Sequence, residues 1–168
     1  MLSKSRLNRR IHAIDPTVWL ALFNRLTQAF KQDNAEGEYI LDSFPVAVCL
    51  NIRVSRSRIY QEEDFRGYIA SQRQYFYGLR VHLLVTYSGQ PVEFILAPGW
   101  QNDCRLMKQF DLDLEPGSTI YADKAYNDYG FEDLLAGQGI KLAPLRKKNS
   151  KRSVARYTEY LRQYMRKR

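Results

Sequence analysis

Two aspartates in this chain stand where an acid is costly. Asp42 interrupts the apolar run Tyr-Ile-Leu-Asp-Ser-Phe-Pro-Val-Ala-Val-Cys-Leu over 39–50, and Asp123 closes Ser-Thr-Ile-Tyr-Ala-Asp over 118–123. An ionised carboxylate taken out of water needs a compensating charge, or it takes up a proton. Two compensations are open. One is a bound Mg²⁺, a hard cation that prefers carboxylate oxygens and is commonly held by one or two carboxylates plus substrate phosphate. The other is pairing with a cation of the chain, for which Lys124 and Arg80 both qualify. The residue types alone leave both readings standing.

The charge distribution narrows the class of partner. The formal net charge is +8, and the segment from Arg146 to Arg168 alone contributes +9, with Glu159 its single acid. A second basic cluster, Lys4, Arg6, Arg9 and Arg10, opens the chain, which leaves the middle net acidic. Basic ends around an acidic centre suit a polyanion gripped by Lys and Arg, with the carboxylates reserved for metal. Cys49 and Cys104 lack CxxC spacing and a His at a ligand-like interval, so neither zinc nor a disulfide framework is signalled, and a reducing cytoplasm is the expected setting. The basic N-terminus has no apolar signal core, and no apolar run is long enough to span a bilayer. At 168 residues, 45% of them apolar, the chain is expected to fold as one domain with a core of ordinary size.

Helical spacing of Val18, Trp19, Leu22, Phe23, Leu26, Ala29 and Phe30 predicts an amphipathic helix over 15–33, capped by Asp15 and begun by Pro16. A polar basic tail precedes it. Residues 39–50 read as a strand buried on both faces, with Pro45 marking an irregularity or its end. Residues 51–74 read as an exposed connection. Tyr75–Tyr87 and Val92–Ala97 read as strands joined by the hairpin signal Ser88-Gly89-Gln90-Pro91. There follow a helix over 103–110, a strand over 118–123, a helix over 131–136 stopped by Gly137 and Gly139, and a strand over 140–145. Beyond the basic loop 146–152, Val154, Tyr157, Leu161 and Tyr164 define a last amphipathic helix.

The wording around both acids carries a resemblance. "ILDSFPVAVCLNIR" (40–53), "RGY" (66–68), "YFYGLRVHLL" (75–84), "IYADKAYND" (120–128) and "GIKLAPLRKKN" (139–149) resemble, in order and spacing, successive blocks of the DDE-type transposases of bacterial insertion sequences. The resemblance covers about residues 38–168, with 1–37 left as a possible remnant of an N-terminal helical domain. It implies an α/β, ribonuclease H-like fold: a mixed five-stranded sheet flanked by helices, its first three strands antiparallel and its last two parallel to the first. It further implies that Asp42 and Asp123 are catalytic metal ligands for Mg²⁺ or Mn²⁺, two ions in all, in cleavage and strand transfer at element ends. The implied partners are the terminal inverted repeats and target DNA, with a homo-oligomer as the active form.

The family's third acid, a Glu usually four residues beyond an Arg on the last helix, has no counterpart at that spacing here, and the chain is therefore expected to be incomplete. Glu159, three residues after Arg156, is the one acid on that helix and reads as an exposed helix residue. A catalytically silent DNA-binding remnant and a nuclease acting on DNA junctions are the rival readings. Arg146, Lys147, Lys148, Lys151 and Arg152 are the candidate DNA contacts, with Lys124 a further phosphate contact. His82, Asp103 and Asp128 receive structural roles: a satisfied mid-strand histidine, and turn or cap residues.

Overall fold

The computed structural model describes residues 3–70, 72–146 and 150–152. Helices α1 (Lys4–His12) and α2 (Pro16–Asp33) lead into a six-stranded sheet: β1 (Glu38–Leu50), β2 (Arg66–Ile69), β3 (Gln74–Thr86), β4 (Pro91–Pro98), β5 (Thr119–Ala122) and β6 (Lys141–Pro144). Helix α3 (Asp103–Met107) lies between β4 and β5, and α4 (Tyr129–Gly137) between β5 and β6. β1 and β4 both pair antiparallel with β3, whereas β5 is parallel to β1 and β6 parallel to β5. These are the directions expected of the five long-range pairing partners.

The sixth strand, β2, is a correction to the reading of 51–74 as exposed connection. Its residues Arg66–Ile69 pair antiparallel with Gln74–Tyr77, extending the β4 side of β3. Room for it comes from two glycines. A Cβ on Gly67 would lie 2.5 Å from the Phe76 ring and 2.6 Å from the Gly99 carbonyl oxygen, and one on Gly99 would lie 2.7 Å from the Phe65 carbonyl oxygen. Such a close approach of three backbones is open to glycine alone.

The basic tail is likewise more ordered than read. α1 is capped by Ser3, whose hydroxyl accepts from the Arg6 amide, and Arg9, Arg10 and His12 fill its last turn, where cations oppose the helix dipole. α2 is capped by Asp15, as expected, and packs on β4, with Phe23 edge-on to Phe94 at 5.0 Å between centroids.

β1 is buried only at Tyr39, Ile40 and Leu41; Phe44, Val46 and Val48 are exposed, so the strand is not covered on both faces along its length. The reason is the shortness of β5, which pairs with Glu38–Leu41 and then ends. Past that point β3 is the one described strand that pairs with β1, and Pro45, which cannot donate to a ladder, is tolerated within the strand opposite Arg80.

Alternation along the strands divides the interior. Tyr39, Leu41, Leu84, Ile120, Ala122 and Leu142 join α3 and α4 residues such as Met107 and Leu135 in the larger core. Ile40, Val85, Tyr121, Ala143 and Leu145 form a smaller cluster on the opposite face. Near the larger core, on β4, Glu93 accepts from the Asp111 amide at 2.7 Å, and burial pushes its carboxyl up to about 7 against the pull of that bond and of Lys31. The folded chain therefore holds this proton after the unfolded chain has released it. Stability should fall as pH rises from about 4.5 to about 7, and Glu93→Gln should flatten the slope in urea denaturation across that window.

Candidate active site

Asp42 and Asp123 come together through the parallel pairing of β1 and β5. The last paired residues are Leu41 and Ala122, so the next residue on each strand is one of the two acids. Ile40 and Tyr121 belong to the smaller cluster, and alternation puts Asp42 and Asp123 on that same face. Asp123 keeps extended geometry, φ −73° and ψ 171°, which continues the strand through its carboxylate. Neighbouring strands lie about 4.8 Å apart, so the two acids stand side by side. Both are half-buried.

The same local device orients each of them. An Asp42 Oδ1 accepts the Ser43 amide at 2.8 Å, and an Asp123 Oδ1 accepts the Lys124 amide at 2.6 Å, where Asp123 also caps the 3-10 turn Lys124–Tyr126. The Lys124 side chain is exposed beside it.

On the opposite face, the segments just past both acids are tied into one polar network. Ser43 Oγ lies 3.2 Å from Asp103 Oδ1, sixty residues further along the chain, and the Arg80 guanidinium reaches both the same oxygen at 3.4 Å and the Tyr68 carbonyl at 3.3 Å. His82, wholly buried, bonds through Nδ1 to the Tyr126 hydroxyl at 3.1 Å and holds Nε2 3.7 Å from Asp103. Burial lowers the His82 pKa, Asp103 opposes this, and Arg80 adds to it. Burial likewise lifts the Tyr126 hydroxyl well above its usual range, reinforced by the Asp103 charge. A neutral imidazole that accepts from Tyr126 turns its Nε2–H towards Asp103, at a distance too long for a hydrogen bond, so that this nitrogen has no hydrogen-bond partner among the described residues.

The structural roles given to His82 and Asp103 thus meet in one cluster, which no local pattern in the sequence announces. Arg80 is engaged here, with Ser43, Asp103 and the Tyr68 carbonyl. Asp128 caps α4 by accepting from the Phe131 amide at 3.0 Å and pairs with Lys108 at 2.5 Å.

The basic segment after β6 divides. Arg146 turns inward: its two terminal nitrogens meet Glu132 Oε1 and Oε2 at 2.5 and 2.6 Å, and Nη1 also reaches Asn127 Oδ1 at 2.7 Å. Arg152 bridges Glu132 at 2.9 Å and Asp133 at 2.8 Å, with its guanidinium 4.8 Å above the Tyr129 ring. Glu132 was not singled out from the sequence. Lys151 is exposed. Lys147, Lys148, Glu159 and the helix expected around Val154, Tyr157, Leu161 and Tyr164 lie outside the described residues.

The antiparallel strands β1–β4 followed by two parallel ones, with an aspartate next after the last paired residue of β1 and of β5, define a ribonuclease H-like domain. Residues 32–168 match the family profile described as Transposase DDE domain, and the chain belongs to that family, whose members generally use divalent metal ions. Among solved structures the chain is similar to a piggyBac transposase, seen by cryo-EM in a synaptic complex with hairpin DNA, at 12% identity and a TM-score of 0.45. That similarity covers 68% of this chain and 24% of the other, so the chain spans about a quarter of that transposase. A search of curated proteins gave no match. Among the described residues no helix is long and apolar enough to cross a membrane.

Proposed function

We propose that this chain is the catalytic domain of an insertion-sequence transposase that cuts DNA at element ends and joins the freed 3′ ends to a target, working as a homo-oligomer in the bacterial cytoplasm. The observation that carries the reading is the side-by-side placement of Asp42 and Asp123 one step past Leu41 and Ala122. Their donor set suits a hard cation. Two carboxylates in one register supply the oxygen ligands that Mg²⁺ or Mn²⁺ shares with substrate phosphate. Among the described residues there is no cluster of three or more potential ligands, so the reading rests on these two acids. A bound divalent ion supplies charge neutralisation at the scissile phosphate and a lowered pKa for the attacking hydroxyl.

The remaining work falls to the protein's own groups. Strands β1 and β5 hold the acids rigidly, the backbone amides of Ser43 and Lys124 set their rotamers, and the network through Asp103 and Tyr126 fixes the segments that follow. Lys124, exposed beside Asp123, is placed to meet a phosphate. Lys151, with Lys147 and Lys148, extends the phosphate contacts, while Arg146 and Arg152 fasten this basic segment to α4 and leave Arg152 partly open to DNA.

The test is nicking of end-sequence DNA by the full chain with Mg²⁺ or Mn²⁺ and with the metal chelated. Cleavage that disappears on chelation and returns with added metal supports the proposal. DNA binding that weakens with salt but is never accompanied by nicking would replace it with the binding-only reading.

A further inference from the structure

Helix α2 carries two apolar rows, and the fold of the single chain covers one of them. Phe23, Thr27 and Phe30 turn towards the sheet: Phe23 meets Phe94, Thr27 is buried, and Phe30 packs against the larger core. Trp19, Leu22, Leu26 and Ala29 make up the other row, and all four are exposed. A helix needs an apolar stripe about 100° wide to dock on its own domain, and the apolar arc of α2 runs to about twice that. Trp19, Leu22 and Leu26 line an open groove of about 750 Å³, together with Leu96 of β4 and with Ile11 and Ile14 from the end of α1 and the turn after it.

Spacing decides what kind of partner covers this row. Residues 19, 22, 26 and 29 step by three, four and three, the a and d spacing along which one helix takes another, and none of the four is charged. A membrane surface asks for no such register. The order of side chains along the row then selects the helix. Set antiparallel to a copy of itself, the row brings Trp19 opposite the partner's Ala29 and Leu22 opposite the partner's Leu26, so the bulkiest side chain meets the smallest. Self-complementarity of this kind is what a twofold contact requires. A parallel pairing would set tryptophan against tryptophan and alanine against alanine.

The area agrees. Seven apolar side chains of the groove are between 38% and 56% exposed. They offer roughly 500 Å² of apolar surface, which with a polar rim of ordinary proportion makes about 800 Å² on each side, the size of a stable interface.

We propose that α2 is the contact between two copies of this chain, an antiparallel helix pair centred between Leu22 and Leu26. The inference rests on the homo-oligomer reading, to which it gives a location, and its test separates the two. The measurement is the mass of the full chain by sedimentation equilibrium at low micromolar concentration.

The wild-type chain should show twice 19.8 kDa. Leu22→Glu and Leu26→Lys should each raise the dimer dissociation constant about a hundredfold or more, since each substitution enters a twofold contact twice. An equimolar mixture of the two variants should recover most of the loss, because the antiparallel register sets the new charges against each other. Both leucines are about half exposed in the single chain, so helical circular dichroism should not change, and Gln28→Glu on the polar side of α2 should leave the dimer as it is. A dimer untouched by Leu22→Glu and Leu26→Lys, or a mixture that stays monomeric, would overturn the α2 pairing and leave the homo-oligomer reading intact. A wild-type chain that stays monomeric would overturn both.

Discussion

Asp42→Asn and Asp123→Asn are each expected to cut metal-dependent nicking by about a thousandfold or more, with folding essentially preserved. Asparagine keeps the shape and a carbonyl oxygen to accept the Ser43 or Lys124 amide, so the local turn survives. What it removes is one negative charge from a site where two half-buried carboxylates stand on adjacent strands. A divalent ion contributes several kcal/mol of transition-state stabilisation, and about 4 kcal/mol corresponds to the factor given. A second readout does not depend on turnover. Mn²⁺ should raise the melting temperature of the wild-type chain, since a ligand that binds only the folded form stabilises it, and should raise that of either variant less. Full nicking by either variant would remove that aspartate from the catalytic site.

Glu132→Ala is expected to cost about 3 kcal/mol of stability, read as a lower midpoint in urea denaturation. Glu132 is 7% exposed and the Arg146 side chain 10%, so removing the carboxylate strands a guanidinium in a nearly dry site. The lost contact is bidentate, the strongest geometry open to this pair. Asp133→Ala is the contrasting variant. Its carboxylate is 68% exposed and among the described residues meets Arg152 alone, so it should cost less than about 1 kcal/mol. Equal costs for the two would mean that the ion pair does not anchor the segment after β6 onto α4.

Much of the fold was legible because its signals are local. The alternating and continuous apolar runs that became β1, β3, β4, β5 and β6 are long enough to show, and Asp15, Pro16 and Asp128 mark helix starts by their own chemistry. β2 was not legible. Arg-Gly-Tyr-Ile has no alternation to read, and its place in the sheet depends on the mutual approach of Gly67 and Gly99, some thirty residues apart.

The two acids were legible because a charge inside an apolar run is conspicuous at once. Their surroundings were not. The Ser43–Asp103 contact joins distant parts of the chain, and nothing in Ser-Phe-Pro or in Asn-Asp-Cys foretells it. The run Arg146-Lys147-Lys148 reads as uniformly basic, yet Arg146 turns inward, because its partner Glu132 sits on a helix the run itself does not reveal.

The half-partnered stretch of β1 bears on how the domain behaves among its own copies. Past Leu41 the side of β1 turned away from β3 pairs with no described strand, and it is flanked by the exposed side chains of Phe44, Val46 and Val48. A bare, greasy strand of this kind is a template onto which another molecule's strand can add. Pro45 withdraws one donor from that template, and the irregularity between Ala47 and Cys49 spoils its pitch. Both features blunt strand addition along this edge, and neither takes part in any chemistry.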